Sequence, residues 1–134
     1  DHAPHPDESK SCEWQAAANG MVGLESALRV VHEAMVSTGL LDWAGVARVM
    51  SAAPARIGRL TGAGTPLEVG APASLTLYDP SPARVFSRDD LRGSSVNSPY
   101  LGRELPGDVR WTLFRGAVTV ADGAVAESMT AVDA

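Results

Sequence analysis

Asp1, His2 and His5 bring one carboxylate and two imidazoles within five residues at the start of the chain. These are side chains that ligate divalent metals or transfer protons. Pro4 stands between the two histidines and bars a regular helix interior, whereas the helical zinc-protease pair is spaced i, i+4. Any site built here therefore sits on a loop. On residue types alone, a polar surface loop whose histidines do no chemistry is the commoner arrangement.

The other candidate groups are individually weaker. His32 falls one turn from Leu28 at the edge of a helical stripe and reads as a partly buried surface histidine. Cys12, the only cysteine, has no histidine or second cysteine at a metal or catalytic spacing and reads as an incidental loop thiol. An internal disulfide and a four-cysteine zinc site are thereby excluded, which fits a reducing cytoplasm. Gly62-Ala63-Gly64-Thr65 lacks the lysine and flanking spacing of a phosphate loop. Trp14, Trp43 and Trp111 read as packing anchors, and Arg103, Arg110 and Arg115 as facing solvent or pairing with carboxylates.

The elements that must position the opening residues follow from periodicity. Residues 1–22 read as loop, with Asn19-Gly20 as a turn-favouring pair. From Gly23 to about Thr38 the spacing of Leu24, Leu28, Val31 and Met35 puts four apolar side chains on one face of a helix that Gly39 ends. Asp42 suits the N-cap of a second helix with Val46, Val49 and Met50 on its inner face, and Pro54 the first turn of a third, short one through Ile57 and Leu60. Glycine and proline mark residues 61–72 as a linker. Beyond it the period becomes two: Leu75 and Leu77 alternate with Thr76 and Tyr78 up to Asp79-Pro80. Val109, Trp111 and Leu113 share a face, as do Val118 and Val120 after a turn at Arg115-Gly116. Residues 125–134 read as a loose tail.

At 134 residues, 45% hydrophobic and 20% charged, the chain has the make-up of one soluble globular domain. Its net charge of −5 argues against a nucleic-acid partner, which needs a concentrated basic surface. No apolar run approaches the roughly 18 residues of a membrane span, and the opening lacks the basic and apolar regions of a signal peptide. Helices first and strands afterwards suggest two different layers or domains rather than an alternating unit. Because it starts at Asp1 with no element before its most polar stretch, the chain reads as a piece of a longer protein.

Several blocks, in order, carry a likeness to a known family. Asp1-His2-Ala3-Pro4-His5 and then Asn19 through Glu25 resemble the end of the eighth barrel strand and the following loop of a dihydroorotase. Ala53-Pro54-Ala55, Gly70 through Asp79, and Asn97-Ser98-Pro99-Tyr100-Leu101-Gly102 through Arg115-Gly116 resemble later parts of that family in the same order. The later blocks are shared with dihydropyrimidinases and allantoinases across the cyclic amidohydrolases, whereas Ala-Pro-His after the opening histidine is characteristic of dihydroorotases.

The resemblance implies an α/β architecture: the C-terminal third of a metal-dependent (β/α)₈ barrel protein with a small composite β-sandwich domain. Residues 1–60 would be the barrel's end, with an active-site loop over 1–22 and outer helices over 23–60. The linker over 61–72 would lead to the β-domain strands over 73–124 and the tail over 125–134. A whole barrel needs about 250 residues, so this chain is not one.

The implied chemistry is the reversible hydrolysis of L-dihydroorotate to N-carbamoyl-L-aspartate in pyrimidine synthesis. It requires one or two Zn²⁺ ions whose other ligands lie upstream, with a metal-activated hydroxide as nucleophile. Asp1 matches the aspartate that ligates the metal and shuttles the proton. His5 matches the histidine that binds the substrate carboxylate, and Asn19 and Gly20 the pair whose backbone contacts the ring. Asn19 departs from the aromatic residue usual before that glycine. His2 reads as orienting the loop. The resemblance further implies a cytoplasmic, homo-oligomeric full-length protein, with association with aspartate transcarbamoylase in some relatives. It leaves two alternatives open, an inactive structural partner of that enzyme or a cyclic amidohydrolase acting on another ring. The 134 residues alone are expected neither to bind zinc tightly nor to hydrolyse dihydroorotate.

Overall fold

A computed structural model describes the backbone of residues 2–131 and the side chains of residues 2–126. Its regular part is a helical layer followed by an antiparallel meander. The helical segments are α1 (Ala27–Val31), α2 (Trp43–Ala47) and α3 (Ala53–Ile57), and the strands β1 (Leu75–Val85), β2 (Glu104–Phe114), β3 (Ala117–Ala121) and β4 (Ala124–Ala131). The strands lie side by side in chain order, joined at β2–β3 and β3–β4 by two-residue turns.

The N-cap expected at Asp42 is present: its Oδ1 accepts the Gly45 N–H at 2.7 Å, satisfying one of the donors a helix start leaves unpaired. The separate third helix is not. A π turn over Arg48–Ala52 joins α2 to α3, so Pro54 sits inside one continuous helical run. The wider turn accommodates the missing proline N–H, as π turns do in kinked helices. It also rotates the apolar stripe: Val46 is buried, but Val49 and Met50 are exposed, contrary to the inner face expected of them.

The first helix shows a larger departure. Its four-residue apolar stripe is only partly covered: Leu24 is 71% exposed and Met35 40%, while Leu28 and Val31 are half-buried. The fully buried positions here are polar, Ser26, Arg29 and His32, with Val30 half-buried beside them. Arg29 and His32 each answer a specific need. Arg29 Nη2 donates to the carbonyl oxygens of Arg84 and Leu105, at 2.6 and 2.5 Å, tying α1 to both β1 and β2. His32 Nδ1 lies 3.0 Å from the Tyr78 hydroxyl, which donates to Pro106 O at 2.9 Å, so the imidazole is the donor of the pair. Trp43 closes this cluster, with its ring centroid 5.0 Å from that of His32 and 5.4 Å from that of Tyr78. Burial pushes the Tyr78 phenol up to about 12, with Arg29 pulling the other way. Burial, with Arg84 adding to it, draws the Arg29 guanidinium below its ordinary value.

β1 runs on through Asp79-Pro80, where the sequence suggested an end. Asp79 pairs with Asp108 and Ala83 with Pro106, so Pro80, Ser81 and Pro82 bulge opposite Gly107 alone. Proline is tolerated there because β1 is an edge strand and a bulge needs no ladder N–H. Gly107 has φ +71°, and a Cβ on it would lie 1.8 Å from the Tyr78 hydroxyl oxygen, so this position admits only glycine. The expected tail is likewise ordered in part: Ala124–Ala131 pairs with β3. Residues 132–134 lie outside the described residues.

The apolar core joins loop and sheet. Val22, Phe86, Leu91 and Leu105 are buried together, with Val30, Val96, Tyr100 and Leu101 packed on them. Burying such side chains stabilises by roughly 1.5–3 kcal/mol each. Beside this core Arg84 holds Asp90 at 2.6 Å and Asp108 at 3.1 Å. Burial alone would raise the Asp90 carboxyl, but the Arg84 guanidinium and the Ser87 N–H outweigh it and hold it below the usual range.

Candidate functional site

The opening loop has almost no regular structure beyond one 3₁₀ turn over Asp7–Ser9, yet its backbone is closed on itself. Ala3 N–H donates to Met21 O at 2.7 Å, and Ala18 N–H donates to Ser9 O at 2.9 Å. The first bond brings the two ends of the loop side by side. The second pinches off residues 9–18, which carry Cys12, exposed, and Trp14. Trp14 is 93% exposed and anchors nothing among the described residues, contrary to its sequence reading.

Asp1, the candidate metal ligand and proton carrier, lies outside the described residues. His2 Nδ1 accepts the Gly23 N–H at 3.2 Å, with the Leu24 N–H at 3.5 Å, and so ties the loop to the turn that leads into α1. His5, Asn19 and Gly20 are brought together, although 14 residues separate the first two. His5 Nε2 meets Asn19 O at 2.9 Å. With that nitrogen donating to the carbonyl, Nδ1 is the ring atom left to face a ligand, a donor in the imidazolium form. Asn19 thus takes part through its carbonyl. Gly20 has φ +96°, and a Cβ there would stand 2.6 Å from Ala3 Cβ, so backbone conformation and close approach both require glycine.

The carbonyls of residues 18–21 are all engaged. Lys10 Nζ donates to Ala18 O and, at 2.9 Å, to Gly20 O; His5 takes Asn19 O; Ala3 takes Met21 O. The N–H groups of Asn19 and Gly20 have no acceptor among the described residues. Lys10 and Asn97 were not singled out by residue type. Asn97 Oδ1 accepts the His5 N–H at 3.2 Å, and its Nδ2 donates to Ala3 O at 2.9 Å and Gly20 O at 3.3 Å. The Asn97 carbonyl accepts the Val22 N–H at 3.2 Å. Its position at the head of the Asn97-to-Gly102 block was the one signal in the sequence. A cleft runs between Lys10, Gly20 and Met21 on one side and Val96, Asn97 and Pro99 on the other.

Among the described residues no three His, Cys, Asp or Glu side chains come together as a metal requires, and each loop imidazole has a ring nitrogen engaged with backbone. This donor set alone does not fit a zinc ion. Neither is any helix among the described residues long and apolar enough to cross a membrane.

No family model matches the chain. Curated proteins do. It is 64% identical over 129 residues to the dihydroorotase of Leifsonia xyli subsp. xyli, covering 96% of this chain and 30% of that protein. The likeness to the dihydroorotase of Streptomyces coelicolor is 58% identity, over 92% of the chain and 29% of that protein. With the Mycobacterium tuberculosis dihydroorotase it is 49%, over 93% and 29%.

The chain's relatives are dihydroorotases.

It spans about 30% of the length of those dihydroorotases. Solved structures extend the likeness to the backbone of related amidohydrolases. L-Hydantoinase (dihydropyrimidinase) from Arthrobacter aurescens superposes with a TM-score of 0.82 at 31% identity, over 93% of this chain and 28% of that one. D-Hydantoinase (dihydropyrimidinase) from Thermus sp. does so with 0.78 at 28% identity, over 96% and 29%. The α/β arrangement of helices and sheet thus matches a part of these larger hydantoinase structures, and the dihydroorotase likeness takes in both the opening loop and the Asn97 segment.

Proposed function

We propose that the chain is the C-terminal third of a zinc-dependent dihydroorotase, which hydrolyses L-dihydroorotate reversibly to N-carbamoyl-L-aspartate. The observation that carries this reading is the 49–64% identity to dihydroorotases over more than nine-tenths of the chain. The geometry supports it. His5 Nδ1 offers a charge-assisted donor for the substrate carboxylate, and the Asn19 and Gly20 N–H groups offer neutral donors for the ring. Zinc, when bound, supplies an activated hydroxide. Asp1 is one of its ligands, and the others belong to the parent outside these residues. Cytoplasmic residence and homo-oligomerisation of the parent are part of the same proposal.

Asp1→Asn in the full-length parent tests it. Loss of a positioned acid/base lowers turnover about 10²–10⁴-fold with an unchanged melting temperature, whereas retained full activity contradicts the assignment. The 134 residues alone, supplied with zinc, hydrolyse no dihydroorotate.

The hydantoinase superpositions favour a second reading, a cyclic amidohydrolase of another ring. Dihydrouracil separates the two, because it lacks the carboxylate that His5 is proposed to bind.

A further inference from the structure

We infer that Asn97 is a positioning residue for the substrate-carboxylate site, holding His5 and the Gly20 peptide in register from the other half of the chain. The inference rests on the proposed role of His5. Three partners meet on one planar amide: the His5 N–H on Oδ1, and the carbonyls of Ala3 and Gly20 on Nδ2. An asparagine side chain offers one acceptor and two donors at that reach. Aspartate offers no donor, and leucine offers neither. The fourth bond, from the Val22 N–H to the Asn97 carbonyl, continues the clasp along the loop's exit.

What makes the clasp a reference point is its mounting. Val96 on one side of Asn97, and Tyr100 and Leu101 on the other, pack on the core of Val22, Phe86, Leu91 and Leu105. Ser98 N–H donates to Val96 O at 2.7 Å, and Ser98 Oγ accepts the Tyr100 N–H at 3.3 Å, fixing the turn that presents the side chain. Lys10 shares Gly20 O but reaches neither Ala3 nor His5, and it projects from the loop itself. Without the Asn97 side chain, His5 and Asn19 remain bonded to each other, but His5 and the Gly20 carbonyl lose their side-chain tie to the core-mounted 96–101 segment. The carboxylate site then shifts as a unit relative to the reacting centre. A displaced binding group weakens substrate capture before it alters the chemical step, so the effect falls on KM.

The test uses the full-length parent with Asn97→Ala, Asn97→Asp and Lys10→Met, measuring kcat and KM for dihydroorotate, the melting temperature, and amide exchange at Ala3, His5 and Val22. Asn97→Ala is expected to raise KM about 5- to 30-fold, the value of one or two hydrogen bonds, with kcat within about threefold. Exchange at His5 and Val22 accelerates. Asn97→Asp is no better than alanine, because its carboxylate faces two carbonyls, and Lys10→Met has a smaller effect. If Asn97→Ala does not fold, Asn97→Ser is read in the same way. An unchanged KM, a loss confined to kcat, or unchanged exchange overturns the inference. A wild-type parent that leaves dihydroorotate untouched sinks the functional reading instead, and the exchange measurement then still decides whether Asn97 orders the loop.

Discussion

Residues 2–22 and the helical run over 43–57 order themselves in opposite ways. The loop is polar and irregular, yet it is tied to residues more than 90 positions away through Asn97 and ends in the core at Val22. The helical run has a side-chain cap and continuous turns, yet it leaves Trp43, Val49, Met50 and Ile57 exposed, the last by 78%. Regularity of backbone and completeness of packing are thus separate properties. The candidate site is scaffolded within this chain, whereas the helices present apolar surface of the kind that marks an interface. On the proposed reading, the parent's remaining barrel covers it.

That contrast can be broken most forcefully at Phe86, which is 1% exposed beneath the loop's exit. Phe86→Ala is expected to cost about 3–5 kcal/mol in denaturant unfolding and to loosen the loop with it. A loss below about 1 kcal/mol would mean the loop is not held by this core. Arg29→Met comes next: it strips the carbonyls of Arg84 and Leu105 of their buried donor, with an expected loss of about 1–3 kcal/mol. Stability equal to wild type would show that the polar face of α1 is incidental to docking.

Tyr78 adds a pH signature on the same contact. Its folded pKa of about 12 lies above the ordinary phenol value of about 10, so the stability it contributes is complete below pH 10 and is lost as pH rises toward 12. Alkaline melts should show this loss, and Tyr78→Phe should remove it. A tyrosinate absorbance assigned to Tyr78, as wild type minus Tyr78→Phe, that rises near pH 10 would count against the burial. The smallest effect belongs to the open side. Leu24→Ser and Ile57→Ser should change stability by no more than about 0.5 kcal/mol while reducing self-association seen by ultracentrifugation. A large destabilisation there would mean that these side chains already pack on this chain.

Local signals in the sequence were sound where local physics decides. Asp42 caps its helix, Leu75 to Tyr78 form a strand, and Arg115-Gly116 turns between β2 and β3. Periodicity misled where the partner of a face was not apolar. The stripe of Leu24, Leu28, Val31 and Met35 is a genuine helical pattern, but the sheet beside α1 offers carbonyls and a phenol, which polar Arg29 and His32 satisfy better. β1 outran its expected end because a proline-containing bulge costs little on an edge strand. In the candidate site, His5, Asn19 and Gly20 were legible from their resemblance and lie together. The hold of Asn97 on them was not, since nothing local in a sequence marks an amide that finds its partners across 92 residues.

The central claim is that this loop binds a carboxylate-bearing ring for a dihydroorotase. It is tested most directly by steady-state kinetics of the full-length parent and its His5→Ala variant on dihydroorotate and dihydrouracil side by side. The account predicts that the wild type turns over dihydroorotate in preference, and that His5→Ala raises KM for dihydroorotate about tenfold or more, the worth of one charge-assisted bond, without touching dihydrouracil. A parent that prefers dihydrouracil, or a His5 substitution that harms both rings alike, would contradict it.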